Sequence, residues 1–259
     1  NVGIAMGSGA QIARDAGDII LLDNNFRSII SAVHEGRTIY ANIKRMVVYL
    51  LATNLGEALV SIGSLLVGLP IPLLPVQILW VNLVTDTTMV IPLGVEPGSP
   101  QAMRRPPYHP KAPLLSRFML SRVGLIAVVM AVITLGLYSM YYHSHGEGYA
   151  RTIAFCALVV MQWASALAAR SDYEPVWQRA RRWSAVFYGG LAVSIALQLV
   201  ALFGPLEQWL HVTPISWSDG VFVWIVAFFV PLAIIEGHKW LGRTYFGKGH
   251  AVVRSRRRR

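Results

Sequence analysis

Two short runs, Asn54-Leu-Gly-Glu57 and Asn82-Leu-Val-Thr-Asp86, set oxygen-bearing side chains into strongly apolar stretches of the chain. Asn54 and Glu57 are spaced i,i+3, and Asn82, Thr85 and Asp86 are spaced i, i+3 and i+4, so each run presents its polar groups on one face of a helix. An ionisable group at the centre of a membrane helix costs about 2.5–3.5 kcal/mol on insertion scales unless it is paired, wet or bound to an ion, which makes each one a functional candidate. The runs are separated by a short turn, Gly68-Leu69-Pro70, with Pro72 and Pro75 just beyond. Their helices must then lie antiparallel and side by side, bringing two carboxylates, two amide oxygens and a hydroxyl together near mid-membrane. Hard oxygen ligands of this kind suit Ca²⁺, Na⁺, Mg²⁺ or Mn²⁺ and do not suit Cu⁺ or Zn²⁺. A single Asn or Thr in a membrane helix is more often a packing hydrogen bond than a ligand. Five such groups on facing stripes, two of them acidic, favour an ion site.

Other polar residues within apolar stretches are fewer. Gln162, with Ser165 at i+3, either completes the site as an accessory ligand or packs, and Gln198 reads as packing. Glu236, beside His238 and Lys239 near the end of the last apolar stretch, reads as paired or hydrated. His143 and His145 read as part of an outer surface loop rather than as a metal pair. Cys156 is the only cysteine, which excludes a disulfide framework and a thiolate cluster for a soft metal.

The elements that must position these groups are membrane helices. Of 259 residues, 54% are hydrophobic and 14% charged, and the mean hydropathy is +0.49, a membrane-protein composition. Six stretches approach the roughly 20 residues that cross a hydrocarbon core: Met46 to Val67, Ile71 to Val95, Phe118 to Tyr141, Thr152 to Ala169, Trp183 to Phe203, and Val221 to Ile235 continuing towards Trp240. The segments between them alternate in charge. Arg37, Lys44 and Arg45 precede the first; Arg104, Arg105, Lys111, Arg117 and Arg122 follow the second; Arg170, Arg179, Arg181 and Arg182 follow the fourth; Lys239, Arg243, Lys248, Arg254 and Arg256 to Arg259 follow the sixth. The other loops are poor in basic residues. By the positive-inside rule both ends are cytoplasmic, and the formal net charge of +10 is a topology signal rather than a sign of nucleic-acid binding. Trp163, Trp183, Trp209, Trp217 and Trp240 fit interfacial belts, and the terminal arginine run is a solvated tail or a contact to anionic lipid.

Ahead of the first stretch, about 36 residues read as soluble: a strand from Val2 to Met6, a turn at Gly7-Ser8-Gly9, a short helix from Ala10 to Ala16 and a second strand from Asp18 to Leu22. Asp23, Asn24 and Asn25 supply capping oxygens for a helix starting near Phe26, which meets no proline from Ser28 through Leu66 and so runs on into the bilayer. Opening on Asn1 and directly into a strand pattern, the chain reads as a piece whose own N-terminus lies upstream.

At these residues the sequence resembles the P-type ATPases, specifically the type II branch that contains Ca²⁺ pumps, along the whole chain and most densely from Val2 to Pro107. Val2-Gly-Ile-Ala-Met-Gly7 resembles the stretch after that family's Gly-Asp-Gly-Val-Asn-Asp motif. Asp23-Asn-Asn-Phe26, Ser28-Ile-Ile and Glu35-Gly-Arg-Thr-Ile-Tyr-Ala-Asn-Ile-Lys44 resemble the stalk into its fifth membrane helix. Asn54-Leu-Gly-Glu57 and Leu79-Trp-Val-Asn-Leu-Val-Thr-Asp86 are similar to the ion-binding cores of its fifth and sixth helices, and Gly94-Val-Glu-Pro97 with Arg104-Arg-Pro-Pro107 to the exit from the sixth.

The resemblance implies a mainly α fold: a six-helix transmembrane bundle preceded by a short α/β remnant of a haloacid dehalogenase-like phosphorylation domain. Residues 1–36 would end that domain and start the stalk, 37–97 would carry the stalk and the ion site, 98–240 four further membrane helices, and 241–259 a basic cytoplasmic tail. It makes Asn54, Glu57, Asn82, Thr85 and Asp86 cation ligands, with Asp86 bridging sites where two ions bind. The implied function is ATP-driven export of a cation, Ca²⁺ first, with proton counter-transport, across the plasma (inner) membrane. ATP, Mg²⁺ and the phosphorylated aspartate belong to the missing N-terminal part of the same pump. Where Ca²⁺ pumps carry Gly-Leu-Pro after the aspartate, this chain has Thr87-Thr-Met89 and delays proline to Pro92, and Gln162 stands where a glutamate ligand is usual, which points to one ion per cycle. Na⁺ or Mn²⁺ export, or from another class a secondary-transport or non-catalytic membrane module, are the alternatives.

Overall fold

The computed structural model describes residues 2–98, 103, 106–107, 113–172, 174–181 and 183–256. Arg104, Arg105, Lys111, Arg182 and Arg257 to Arg259 lie outside the described residues, as do the side chains of Arg243, Lys248, Arg254 and Arg256. The chain divides into two compact units, one made of Asn1–Asn42 with Pro97–Ala112, the other of Ile43–Glu96 with Pro113–Arg259.

In the first unit, strands β1 (Ile4–Met6) and β2 (Ile19–Leu21) pair in parallel, with helix α1 (Gln11–Asp15) between them in sequence. The glycines of the first turn are there because backbone crowds them: a Cβ at Gly7 would stand 2.9 Å from the Leu21 carbonyl oxygen. Helix α2 (Arg27–Leu66) starts on stacked Asx interactions. The Asn25 side-chain oxygen accepts from the Arg27 amide at 3.0 Å, and Asp23 accepts from the Asn25 amide at 3.1 Å and from the Ser28 hydroxyl. The Ser28 bond, followed by the Asn25 amide, holds the Asp23 carboxyl below its usual range.

The second unit is a helical bundle. Helix α2 ends where Gly68 takes φ +72°, the Leu69 amide donating to Ser64 O and the Gly68 amide to Leu65 O, a left-handed cap that a residue with a Cβ would strain. The next helix starts at Pro75, four residues later than the apolar run suggests, since Pro72 and Pro75 push their predecessors out of helical conformation. It comprises α3 (Pro75–Trp80), a π-helical turn (Val81–Thr85) and α4 (Asp86–Gly94) in one continuous rod. Helices α5 (Arg117–His145), α6 (Glu147–Ala169), α7 (Val176–Ala180), α8 (Ala185–Phe203) and α9 (Trp217–Arg256) follow. Among the described residues six helices are long and apolar enough to cross a membrane, in the places the hydropathy predicts. The outer surface loop expected around His143 and His145 is instead a single residue, Gly146 at φ +85°, because both helices extend to meet it. His143 and His145 therefore belong to the last turn of α5, where His145 stacks on Tyr149 at 4.7 Å.

Helix α6 is the hub, buried along almost its whole length and packed most extensively against α5 and α9. Helix α4 packs on α8 at a close crossing: Pro92 cannot bond the Thr88 carbonyl, and a Cβ on Gly190 would stand 2.6 Å from both that oxygen and the Pro92 ring. Gly190→Val is expected to destabilise the purified protein by about 1–3 kcal/mol through overpacking. Gly189→Ala, whose added carbon meets nothing within 4 Å, should leave the melting temperature in detergent unchanged, and thermal unfolding of the two variants checks the contrast.

Candidate cation site

Glu57 and Asp86 are both buried in the bundle, 5% and 3% exposed, so their oxygens must find partners inside it. Antiparallel packing of α2 against the α3–α4 rod supplies the first set. Asn82 donates to Glu57 Oε2 at 2.8 Å, and the Tyr49 hydroxyl donates to Asp86 Oδ1 at 3.0 Å. From α6, Gln162 donates to Glu57 Oε1 at 3.0 Å. One carboxylate is thus held by amides from two other helices, and the accessory residue Gln162 touches the predicted set.

The π turn aligns the second stripe. The Asp86 amide bonds to Val81 O, five residues back, so an extra residue is accommodated between Val81 and Asp86. Thr85 and Asp86 both end up buried while Asn82, half-buried, reaches Glu57. No glycine opens this helix. In the turn that follows, the Thr88 hydroxyl bonds back to Val84 O and Thr85 O, both at 2.9 Å.

Asn54 does not join the others. On α2 the inward stripe is Tyr49, Thr53 and Glu57, spaced i, i+4 and i+8, all buried. Asn54, one residue beyond Thr53, is rotated by about 100° from that line. It is exposed and its amide nitrogen donates to Leu50 O at 2.8 Å. The i,i+3 spacing to Glu57 is real, but the face it defines is wide enough for one end to be buried and the other not. Tyr49 is the residue that the sequence reasoning passed over. Its signal was its place one and two helical turns ahead of Thr53 and Glu57.

The remaining sequence candidates fall elsewhere. Gln198 accepts from the Trp80 indole at 3.1 Å, a packing bond, and Lys239 pairs with Glu236 at 2.7 Å. Among the described residues no group of three His, Cys, Asp or Glu side chains forms a metal cluster, so any ion here would rely on amide and hydroxyl oxygens as well as the two acids. Asp86 Oδ2 and Gln162 Oε1 have no hydrogen-bond partner and are open to a ligand, a condition they share with other buried polar atoms of the bundle such as Thr134 Oγ1 and Gln198 Nε2. The Ser165 hydroxyl, one turn along α6 from Gln162, is likewise buried without a partner.

Comparison with known proteins gives this arrangement its context. Residues 70–241 match the family described as cation transporting ATPase, C-terminus. The chain is 37% identical over 227 residues to a calcium-transporting ATPase of Bacillus subtilis (strain 168), covering 86% of this chain and 25% of that protein. It is 32% identical over 249 residues to the cation-transporting ATPase pma1 of Synechocystis sp. (strain ATCC 27184 / PCC 6803 / Kazusa), covering 91% of this chain and 27% of that protein. It therefore spans about a quarter of the length of these relatives. With a matched family region that takes in most of the bundle and six helices fit to cross a membrane, the chain belongs to the P-type cation-transporting ATPases, as a piece of their multi-pass membrane part.

Proposed function

We propose that this chain is the ion-handling membrane part of an ATP-driven pump that exports Ca²⁺, one ion per cycle, with protons carried in return. The observation that carries the reading is the Glu57 carboxylate held between Asn82 and Gln162, beside an Asp86 carboxylate with one oxygen unpaired. Glu57, Asn82, Thr85 and Asp86 are the proposed ligands, with Gln162 accessory. Asn54, exposed and off the Tyr49–Thr53–Glu57 stripe with its nitrogen tied to Leu50 O, has its place in the set from the resemblance alone. All are hard oxygen donors, the chemistry of Ca²⁺. An amide at Gln162 in place of a third acid limits the negative charge, which favours one divalent ion over two. The name of the Bacillus subtilis relative supports Ca²⁺ as cargo.

The aspartyl-phosphate cycle, with its ATP and Mg²⁺, belongs to the longer protein. In this reading residues 1–36 close a haloacid dehalogenase-like phosphorylation domain, and the parallel β1–β2 pair is in keeping with that. The basic ends of the helices face the cytoplasm by the positive-inside rule, in the plasma (inner) membrane. When the ion leaves, the two acids can take protons, which conserves charge in a dry site and gives the counter-transport its chemistry.

In the full-length pump, Glu57→Gln or Asp86→Asn each removes a charge-assisted contact of about 1.5–3 kcal/mol. That is roughly ten- to more than a hundredfold in half-saturating Ca²⁺, read as Ca²⁺-dependent phosphorylation from ATP; unchanged cation dependence would sink the assignment. Tyr49→Phe, which releases Asp86 Oδ1, is expected to raise half-saturation by about three- to tenfold, and no change would show that the Tyr49 bond does not orient Asp86 for the ion. ATPase stimulation of the purified protein by Ca²⁺, Mn²⁺, Na⁺ and K⁺ in parallel identifies the cargo. Ca²⁺ should stimulate at the lowest concentration, and stimulation by Na⁺ alone would reassign it.

A further inference from the structure

Two clusters of buried charge lie away from the candidate ligands, and both run through the three residues that leave α6. Arg170, the C-cap of α6, grips Glu96 just past the end of α4: Nε at 3.0 Å and Nη2 at 2.8 Å from the same carboxylate oxygen, both side chains 1% exposed. Arg179 of α7 reaches that oxygen at 3.0 Å. The Arg170 guanidinium also donates to the Tyr188 hydroxyl and lies over the Phe187 ring of α8 at 4.7 Å. Two residues on, Asp172 faces Arg45 of α2 at 3.6 Å and Arg122 of α5 at 3.5 Å, and Arg122 donates to its backbone carbonyl at 2.8 Å.

The helices gripped this way are the two that carry the candidate ligands. Arg45 stands at the base of the stripe that continues through Tyr49 and Thr53 to Glu57, and Glu96 lies beyond the end of the rod that carries Asn82, Thr85 and Asp86. Gln162, which holds Glu57, is on α6 itself. Resting on the reading of these residues as a cation site, we propose that Arg170 and Asp172 are positioning residues: a clasp of opposite charges that sets α2 and the α4 exit in register with Gln162.

The chemistry explains why charges are used. Apolar side chains in place of a buried ion pair would hold the helices at least as firmly. But apolar contacts between membrane helices carry no strong directional preference, whereas an arginine held by a carboxylate has a fixed planar geometry. Arg170 takes an acid from one site helix and Asp172 a base from the other, so each helix is matched to a different charge in the α6 exit. A clasp of this kind costs stability and gains register.

The full-length pump tests this in reconstituted vesicles, with half-saturating Ca²⁺, maximal turnover and phosphorylation from inorganic phosphate without Ca²⁺ as separate readouts. Arg170→Met and Asp172→Asn should each raise half-saturating Ca²⁺ by about tenfold while maximal turnover stays within about twofold. Arg170→Lys, which keeps the charge but loses the planar fork, should fall between. If Arg170→Met does not accumulate, the triple variant Glu96→Met, Arg170→Met, Arg179→Met, which removes the acid together with both bases that grip it, takes its place, with the same shift expected. Half-saturation equal to wild type in the clasp variants, or turnover and phosphorylation falling in parallel with it, overturns the positioning role. Ca²⁺ stimulation lost in Asp86→Asn but unmoved in the clasp variants overturns the clasp alone. A wild-type pump without Ca²⁺ stimulation overturns the reading of the site and the clasp with it.

Discussion

A carboxylate in the middle of a membrane bundle is the constraint to which the rest of this structure answers. Glu57 is buried, and both its oxygens are met by amides, Asn82 from the neighbouring rod and Gln162 from the hub helix. That requirement places three helices within hydrogen-bonding reach of one point. It explains why α6, largely apolar beyond Thr152, carries a glutamine where it is fully buried. Asp86 is answered differently, by a tyrosine on one oxygen and nothing on the other. That second oxygen is open to a ligand, as the proposed ion site requires.

The surrounding architecture keeps this unequal arrangement from collapsing. The π turn lets Thr85 and Asp86 face inward without breaking the rod, and the Thr88 hydroxyl bonds back to the carbonyls of Val84 and Thr85. Pro92 and Gly190 let α8 press against the same rod from its other side. Packing therefore presses on the site from several helices, while the charged residues sit at the ends, where α6 meets Glu96, Arg45 and Arg122. Small-residue contacts and sparse polar bonds are what helix association in lipid has to work with.

Much of this is legible in the sequence because membrane physics leaves few choices. A long apolar run becomes a helix, basic residues sort between runs, and the spacing of Glu57 from Asn82 and Asp86 across a short turn dictates an antiparallel pair. Local conformations below that level are not legible. The π turn has no signature in Val81-Asn-Leu-Val-Thr85, and an apolar run cannot say that its helix waits until Pro75. Asn54 shows the limit of periodicity: an i,i+3 pair shares a broad face, and only packing decides which edge is buried. Tyr49 was hidden for the opposite reason, since a tyrosine in a membrane helix passes for an interfacial or packing residue until its hydroxyl is seen on a carboxylate. His143 and His145 read as loop because the polar turn they adjoin looks longer than the single glycine that makes it.

On the function proposed above, Asp86 and Glu57 together hold a transported divalent ion. Equilibrium binding of radioactive Ca²⁺ to the purified full-length protein, with and without Asp86→Asn, tests it most directly. One saturable Ca²⁺ per molecule is expected in the wild type, and its loss in the variant. Saturable binding that survives Asp86→Asn at unchanged affinity would contradict it.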